Sequence, residues 1–125
     1  MSRPLPTLLA VAAGGALGSV LRYAVGLVLA PWRPGGVPVA TLLVNVTGSA
    51  LLCFLLARQG RAPLPNPLYL ALTAGILGGF TTYSAFTGEL VAGLYAGRLG
   101  QAFTYLALSL VLGLAAGALG WRLGS

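Results

Sequence analysis

The chain has 125 residues, of which 58% are hydrophobic and 6% are charged, and its formal net charge is +6. A soluble domain of this size carries roughly a quarter of charged residues, so this chain cannot cover itself with a polar surface, and its composition indicates a membrane protein. It contains no His, one Cys and a single acidic residue, Glu89. General acid–base catalysis and transition-metal chemistry therefore have almost no residues to use, and we do not expect an enzyme.

Four apolar segments are long enough to cross the hydrocarbon layer, which takes about 20 residues of helix. The predicted spans cover about residues 5–30, 39–57, 68–96 and 102–119. The connections "PWRPGG", "RQGRAPLPNP" and "GRLGQ" contain the Pro, Gly and Arg that are typical of polar turns. Residues 1–125 are therefore predicted to form one all-α, four-helix transmembrane domain with both ends on the same side of the membrane.

The basic residues are dispersed and lie mostly at the ends of these segments, where they act as interfacial anchors and topology signals rather than as a nucleic-acid surface. One side is predicted to hold Arg3, Arg58, Arg61 and Arg122, and the other Arg33 and Arg98, with Arg22 near that end of the first span. Cytoplasmic loops are enriched in Arg, but this asymmetry is weak. A chain with so little bias could insert in both orientations, which would allow two copies to pair antiparallel.

Small residues recur at intervals of four, a spacing that lets helix backbones approach closely in a membrane. The pairs are Gly14/Gly18, Gly75/Gly79, Gly93/Gly97 and Gly113/Gly117. We expect most of these pairs to pack helices of the same chain against one another.

The third span is interrupted by "AGILGGFTTYSAFTGEL" at residues 74–90, where paired glycines are closely followed by a run of hydroxyl-bearing residues. A helix in a bilayer must satisfy its own backbone, so a break survives only where it lines a cavity or meets a partner. Gly78 and Gly79 would supply flexibility, and Thr81 and Thr82 would satisfy the freed backbone groups. The break could expose carbonyls to a small hard cation such as Na⁺. A kink of purely structural purpose is the alternative.

A second polar feature lies on the fourth span, where Tyr105, Ser109 and Gly113 are spaced i, i+4, i+8 and share one face of a helix. A stripe of hydroxyls is costly in lipid unless it faces a pore or another helix. A single Ser in a span is usually bonded to its own backbone, so Ser109 taken alone has that simpler explanation.

Three motifs resemble those of the Fluc family of fluoride channels, whose members are also called CrcB proteins. "GGFTTYSAF" (78–86), followed by Glu89, is similar to the family signature "GGxTTFSTF…E". "GGALGSVLRY" (14–23) is similar to the first-span motif "GGxxGAxxRY", and "TLLVNVTGS" (41–49) to the second-span motif "TLxVNxxGS". The resemblance covers the whole chain in length, number of spans and order of motifs.

The resemblance implies an assembly as well as a fold. Fluc channels are multi-pass proteins of the inner (plasma) membrane that form antiparallel, dual-topology homodimers with two narrow pores at the dimer interface. Their third helices break and cross at the centre, where backbone carbonyls of both subunits hold a structural Na⁺. By motif position, those carbonyls belong here to Gly78 and Thr81.

The implied function is a fluoride-selective channel through which F⁻ leaves the cytoplasm passively, lowering its toxicity. The pore-facing residues implied by the motifs are Asn45, Tyr83, Phe86, Tyr105 and Ser109. F⁻ is strongly hydrated, so a dehydrated path must offer donors such as amide and hydroxyl groups, including those of Ser84 and Thr82, and the positive edge of an aromatic ring. Arg22 would either concentrate anions near a pore mouth or anchor the span by snorkelling. Glu89 would lie at the end of span three, in a structural or vestibular role.

Two residues depart from the family signature, because Tyr83 stands in place of Phe and Ala85 in place of Thr. Tyr83 keeps the ring and adds a hydroxyl, whereas Ala85 removes a hydroxyl from the polar track. These departures leave open a heterodimer of two related chains, although we favour a homodimer. A proton-coupled exporter of the small multidrug-resistance type would need a carboxylate in the first span, which has none. A purely structural membrane subunit is a further alternative.

Overall fold

A computed structural model describes residues 4–125; Arg3, which contributes to the predicted charge asymmetry, lies outside the described residues. The described chain is built from helices joined by short connections, one of which holds a 3₁₀ turn, Pro34–Gly36. We label the helices α1 (Pro4–Leu29), α2 (Val39–Arg61), α3 (Asn66–Leu70, continuing through a π-helical Ala71–Leu77 to Gly78–Phe80), α4 (Tyr83–Tyr95) and α5 (Leu99–Gly124). By length and composition, α1, α2 and α5 can each cross a membrane. The segments α3 and α4 form one bent helix, interrupted at residues 81–82.

Two helices, α2 and α5, extend well beyond their predicted spans. α2 continues past Ala57 to Arg61, and α5 runs from Leu99 to Gly124 instead of from about 102 to 119. Hydropathy marks the part of a helix that lies in hydrocarbon, whereas the helix itself continues into the polar interface as long as its backbone bonds can form. Arg58 and Arg122 thus lie on the last turns of their helices, where a cation also complements the helix dipole.

Close packing of α1 on α3 confirms the prediction for the first two glycine pairs. A Cβ on Gly14 would collide with the carbonyl oxygen of Ala71, and one on Gly18 with that of Ile76. A Cβ on Gly75 would lie 2.9 Å from the carbonyl oxygen of Val11. Because the contact positions advance in the same direction along both helices, α1 and α3 run parallel.

The second close pair, α2 with α5, uses different glycines from those predicted. A Cβ on Gly120 would collide with the carbonyl oxygen of Ala50, and one on Gly124 with that of Phe54, while Gly113 has no neighbouring atom within 4 Å of the position a Cβ would take. Of the predicted pair, only Gly117 lies at the crossing, where a Cβ would stand 3.2 Å from Cys53 Sγ. The prediction was wrong for Gly113, because sequence spacing cannot say which turn of a long helix meets its neighbour.

Gly97 has a conformational task rather than a packing one. Its φ of +72° is left-handed, and it directly follows Ala96, the residue that caps the C-terminus of α4. The Gly97 amide donates to the Leu94 carbonyl at 3.0 Å and the Arg98 amide to the Gly93 carbonyl at 2.9 Å, the two bonds of a Schellman motif. This motif ends α4 and turns the chain directly into α5.

Candidate functional site

The helix break lies at Thr81 and Thr82 and not at the glycine pair. Gly78 is helical, with φ −63° and ψ −37°, whereas Thr81 (φ −83°, ψ 155°) and Thr82 (φ −149°, ψ 112°) are extended. Gly79 instead permits close approach to α1, since a Cβ there would lie 2.6 Å from the Gly15 carbonyl oxygen. The expectation that the glycines form the break is therefore corrected: both are helical, Gly79 brings α3 against α1, and the two threonines interrupt the helix.

The threonine side chains satisfy part of the backbone at the break, as the sequence predicts. The Thr81 amide and hydroxyl both donate to the Leu77 carbonyl, at 2.9 and 2.8 Å, and close the end of α3. The Thr82 hydroxyl accepts from the Ala85 amide at 3.1 Å, which caps the N-terminus of α4. Thr81 thus bonds to the C-terminal end of α3, and Thr82 caps the N-terminal end of α4.

Asn45 on α2 holds the break from a neighbouring helix. Its Nδ2 donates to the Thr82 carbonyl at 3.0 Å, and its Oδ1 accepts from the Thr82 amide at 2.7 Å. In a continuous helix, the Thr82 amide would donate to the carbonyl of Gly78, four residues earlier. Because the Thr82 amide donates to Asn45 Oδ1 instead, the Gly78 carbonyl is left without its helical donor.

Arg22 on α1 meets the same break from the other side. Its Nε donates at 3.0 Å to the carbonyl of Gly79, which would accept from Tyr83 in an unbroken helix. The guanidinium group is half-buried and also lines a cavity of about 470 Å³ with Tyr23, Thr41 and Thr82. Arg22 is therefore bonded inside the protein rather than extended towards the interface, and its charge faces a cavity next to the break.

A second cavity, of about 280 Å³, also borders Thr82. Its wall contains polar groups from both α2 and the bent helix, namely Asn45, Ser49, Thr73, Gly78, Thr81, Thr82 and Tyr83. Thr82 contributes to both cavities. The break therefore borders two cavities, which is the circumstance in which a bilayer tolerates irregular backbone.

Three aromatic rings extend the site from α4 to α5. Phe86 lies between Tyr83 and Tyr105, with ring centroids 6.0 and 5.3 Å away. The Phe86–Tyr105 contact is edge-on, at 68°, a favoured geometry because a positive ring edge meets a negative ring face. Tyr105 is only 2% exposed, whereas Tyr83 is 79% exposed. The cluster therefore has one end inside the chain and the other on its outer surface.

Glu89, the chain's single acidic residue, is hydrogen-bonded to hydroxyls on two other helices. Oε1 accepts from Thr41 Oγ1 at 2.8 Å, and Oε2 accepts from Tyr105 Oη at 2.7 Å. Both carboxylate oxygens thus have a neutral donor, and the group links α4 to α2 and α5. Thr41 was not singled out from the sequence, although its position four residues before Asn45 places both on one face of α2 and could have indicated it.

Two serines have different surroundings. The Ser84 hydroxyl lies 3.2 Å from that of Thr82, at the exposed start of α4. The Ser109 hydroxyl is buried and has no hydrogen-bond partner within residues 4–125. It lines a groove of about 370 Å³ with Ser49, Cys53 and Gly113. Ser109 thus does not follow the usual pattern of a membrane serine bonded to its own helix.

The structure brings most of the sequence-predicted residues into one polar layer around Thr82. Asn45 and Arg22 bond to the break directly, Tyr83 and Ser84 begin the helix after it, and Phe86 joins this group to Tyr105. Ser109 continues along the same face of α5. Residues 4–125 contain no group of three His, Cys, Asp or Glu side chains that could hold a metal ion, so any cation at the break would need backbone or hydroxyl oxygens.

Apolar spanning helices, a polar break and flanking cavities define a multi-pass membrane protein of the kind that moves small ions. Comparison with known proteins agrees with this class. A family model described as "CrcB-like protein, Camphor Resistance (CrcB)" matches residues 9–121. The chain belongs to the CrcB family.

Curated relatives match nearly the whole chain. A Deinococcus radiodurans protein is 46% identical over 121 residues, which are 96% of each chain, and a Thermus thermophilus protein is 44% identical over 116 residues, 93% of each chain. Both are named "Fluoride-specific ion channel FluC". A Geobacillus kaustophilus relative, "Fluoride-specific ion channel FluC 2", is 41% identical over 86% of this chain and 84% of its own length. The family is thus one of ion channels rather than enzymes, and the chain is a multi-pass protein of the cell membrane.

Proposed function

We propose that this chain is the subunit of a fluoride-selective channel, through which F⁻ leaves the cytoplasm passively and its toxicity is lowered. The observation that carries the proposal is the break at Thr82, which is held by Asn45 and bordered by two cavities whose walls include hydrogen-bond donors. The choice of fluoride as the conducted ion is based on the names of relatives that are 41–46% identical over most of the chain.

Donors on α2 and α5 would replace the water that F⁻ loses on entering a narrow path. The amide of Asn45 has two hydrogens, and because only one is used by Thr82, the other stays free for an anion. The Ser109 hydroxyl has no partner in the described chain and can also donate. Conduction requires several weak sites rather than one tight one, and donors distributed over separate helices meet that requirement.

The aromatic cluster would contribute positive ring edges along the same path. Phe86 is oriented by its edge-on contact with Tyr105, whose hydroxyl is in turn fixed by Glu89. A ring edge attracts an anion without holding it as strongly as a cationic side chain would. Tyr83 adds a hydroxyl that the family signature lacks at this position, so we expect it to alter the donor geometry at one end of the cluster without closing the path.

Passive conduction is favoured over proton coupling by the position of the single carboxylate. A small multidrug-resistance-type exporter would need an acidic residue on the first helix, but the sequence of α1 has none. Glu89 lies on α4, with both oxygens bonded to the hydroxyls of Thr41 and Tyr105. We infer that Glu89 positions those hydroxyls and does not carry protons across the membrane.

A structural Na⁺ at the break is part of the proposal, held by the carbonyls of Gly78 and Thr81. The residues fit this cation in one respect, since the Gly78 carbonyl has lost its helical donor and both residues line the 280 Å³ cavity. Carbonyl oxygens are suitable ligands for a small hard cation. Two carbonyls are too few to replace a hydration shell, so the site would be complete only when a second copy of the chain supplies the same pair.

The assembly we propose is an antiparallel homodimer whose pores lie at the interface. Tyr83, at the outer end of the aromatic cluster, is 79% exposed in the single chain. A polar layer that opens onto the outer surface of one chain would face lipid, so another chain must cover it, and we propose a second copy in this role. A related chain could cover it equally well, and the heterodimer is therefore the alternative to be tested.

The decisive experiment is fluoride efflux from liposomes that contain this chain alone. Fluoride should leave only when a K⁺ ionophore balances the charge, and chloride-loaded liposomes should leak far less. Efflux that follows a proton gradient without charge movement would contradict a channel and support an exporter. No efflux from the single chain, with efflux restored by a related chain, would favour the heterodimer.

A further inference from the structure

The arginines at the C-terminal ends of α2 and α5 have no carboxylate side chain to neutralise them. The chain has seven basic residues and one acidic one, Glu89. Glu89 is bonded to Thr41, at the start of α2. Arg58 follows Thr41 by 17 positions, which is about 25 Å of helix. Glu89 is thus too far from Arg58 and its neighbour Arg61 to neutralise them, and an anionic ligand can supply their counter-charge.

A cavity of about 420 Å³ lies where these two helices end. Its walls are Phe54, Arg58, Arg61, Ala62, Leu123 and Gly124. The two arginines are three residues apart and share one face of α2, while Phe54 and Leu123 form an apolar wall. Leu123 is 69% exposed, so this wall opens outward. The cavity thus combines guanidinium groups and an apolar surface at the end of a membrane helix.

The rim of this cavity is held in place by the chain's own bonds. Gln59 bonds to the backbone of Leu64 twice, with Nε2 donating to the carbonyl at 3.3 Å and Oε1 accepting from the amide at 2.9 Å. The Ala62 amide donates to the Arg58 carbonyl at 2.8 Å. On the other side, Gly124 lies directly against the Phe54 carbonyl. The backbone that carries both arginines is therefore fixed before any ligand arrives.

We propose that this cavity binds the headgroup of an anionic phospholipid, with the phosphate held by Arg58 and Arg61 and an acyl chain lying along Phe54 and Leu123. Guanidinium groups bind phosphate oxygens in pairs, and basic pockets between membrane helices suit anionic headgroups. A free phosphate ion would use the arginines but not the apolar wall, so the lining matches a lipid better. This site lies at the opposite end of α2 from Glu89, and the proposal does not depend on which ion the protein conducts.

Native mass spectrometry of the full chain in detergent tests this site. The protein is titrated with phosphatidylglycerol, phosphatidylcholine or inorganic phosphate, and bound adducts are counted. We expect phosphatidylglycerol to bind in preference to phosphatidylcholine, and the variant R58Q/R61Q to bind it more weakly, by about fivefold for each Arg removed. The variant R58K/R61K keeps the charge but loses paired hydrogen bonding, so it should bind phosphatidylglycerol more tightly than R58Q/R61Q and more weakly than the unsubstituted protein. If R58Q/R61Q fails to fold, R58K/R61K provides the test instead.

The matched control is R33Q/R98Q, which removes the same charge outside this cavity and should retain the lipid. Equal loss of phosphatidylglycerol in R33Q/R98Q and R58Q/R61Q would show general attraction to a cationic protein and overturn the site. Equal binding of phosphatidylglycerol and phosphatidylcholine would overturn it too. Displacement of the lipid by inorganic phosphate at similar concentration would identify a free-anion site instead.

Discussion

The side-chain amide of Asn45 forms with Thr82 the pair of hydrogen bonds that one β-strand makes with another. Nδ2 donates to the Thr82 carbonyl at 3.0 Å, and Oδ1 accepts from the Thr82 amide at 2.7 Å. Both backbone polar groups of one extended residue are thereby satisfied by a single side chain on another helix. Thr82 can leave the helix inside a bilayer because Asn45 replaces the backbone partners that it loses.

Replacing Asn45 by Leu should therefore damage both the fold and conduction. The variant keeps the side-chain volume but leaves the amide and carbonyl of Thr82 without partners, at a cost of about 1–3 kcal/mol for each unsatisfied group. We expect a lower midpoint of thermal unfolding in detergent and little fluoride efflux from liposomes. Thr47→Ala is the control, because the Thr47 hydroxyl bonds only within α2, to the Leu43 and Val44 carbonyls. A stable, conducting Asn45→Leu variant would contradict this role.

Ser109→Ala should separate stability from function. The Ser109 hydroxyl is buried without a partner, so its removal should leave the free energy of unfolding unchanged or raise it by about 1 kcal/mol. If the hydroxyl serves a passing anion, fluoride efflux should nevertheless fall several-fold. Ser109→Thr, which retains the donor, is the matched variant and should conduct better than Ser109→Ala. Unchanged efflux in Ser109→Ala would remove this residue from the proposed path.

Gly18→Ala and Gly113→Ala should differ in their effect on stability. A methyl group on Gly18 would meet the Ile76 carbonyl, whereas a methyl group on Gly113 meets nothing within 4 Å. We expect Gly18→Ala to lower the free energy of unfolding by about 1–3 kcal/mol, since α1 and α3 must move apart. Gly113→Ala should match the unsubstituted protein in the stability of the single chain. Thermal unfolding in detergent measures both, and equal effects would mean that the α1–α3 contact is looser than described.

Gly78→Val tests whether two broken helices cross. Within one chain, a Cβ on Gly78 would come no closer than 3.7 Å to another atom, the Thr73 carbonyl oxygen. The single chain should therefore accept the substitution, while a crossing with a second copy would be crowded by the branched side chain. We expect intact folding by circular dichroism, a shift from dimer to monomer in detergent and lost fluoride efflux. A Gly78→Val protein that remains dimeric and active would contradict a crossing at this point.

Sodium dependence tests the cation part of the proposal. If carbonyls of Gly78 and Thr81 hold Na⁺, the ligands are backbone atoms, and Thr81→Ser should conduct nearly normally because it also keeps the hydroxyl that bonds to Leu77. Purification and reconstitution without Na⁺, in an organic-cation buffer, should weaken the dimer and lower fluoride efflux. Adding Na⁺ back should restore both. Full activity after prolonged Na⁺ depletion would exclude an essential cation.

Composition and motif order were enough to indicate the membrane location, the class of protein and the interruption of the third span. Hydrophobic content and the length of apolar runs act through solvation, which depends on local sequence and is therefore readable from it. The hydroxyls of Thr81 and Thr82 were also predicted correctly to serve the freed backbone, since side-chain bonds to nearby backbone are local interactions.

Only the tertiary structure decided which groups meet across helices. The sequence predicted the break at the glycines. In the structure, Gly79 is helical and packs against α1, and the extended backbone lies at Thr82, where Asn45 stabilises it. The hydroxyl partners of Glu89 and the choice of Gly120 over Gly113 at the α2–α5 crossing depend on the rotation and register of packed helices. Residue spacing fixes positions along one helix, but rotation and register are set by the close packing of both helices together.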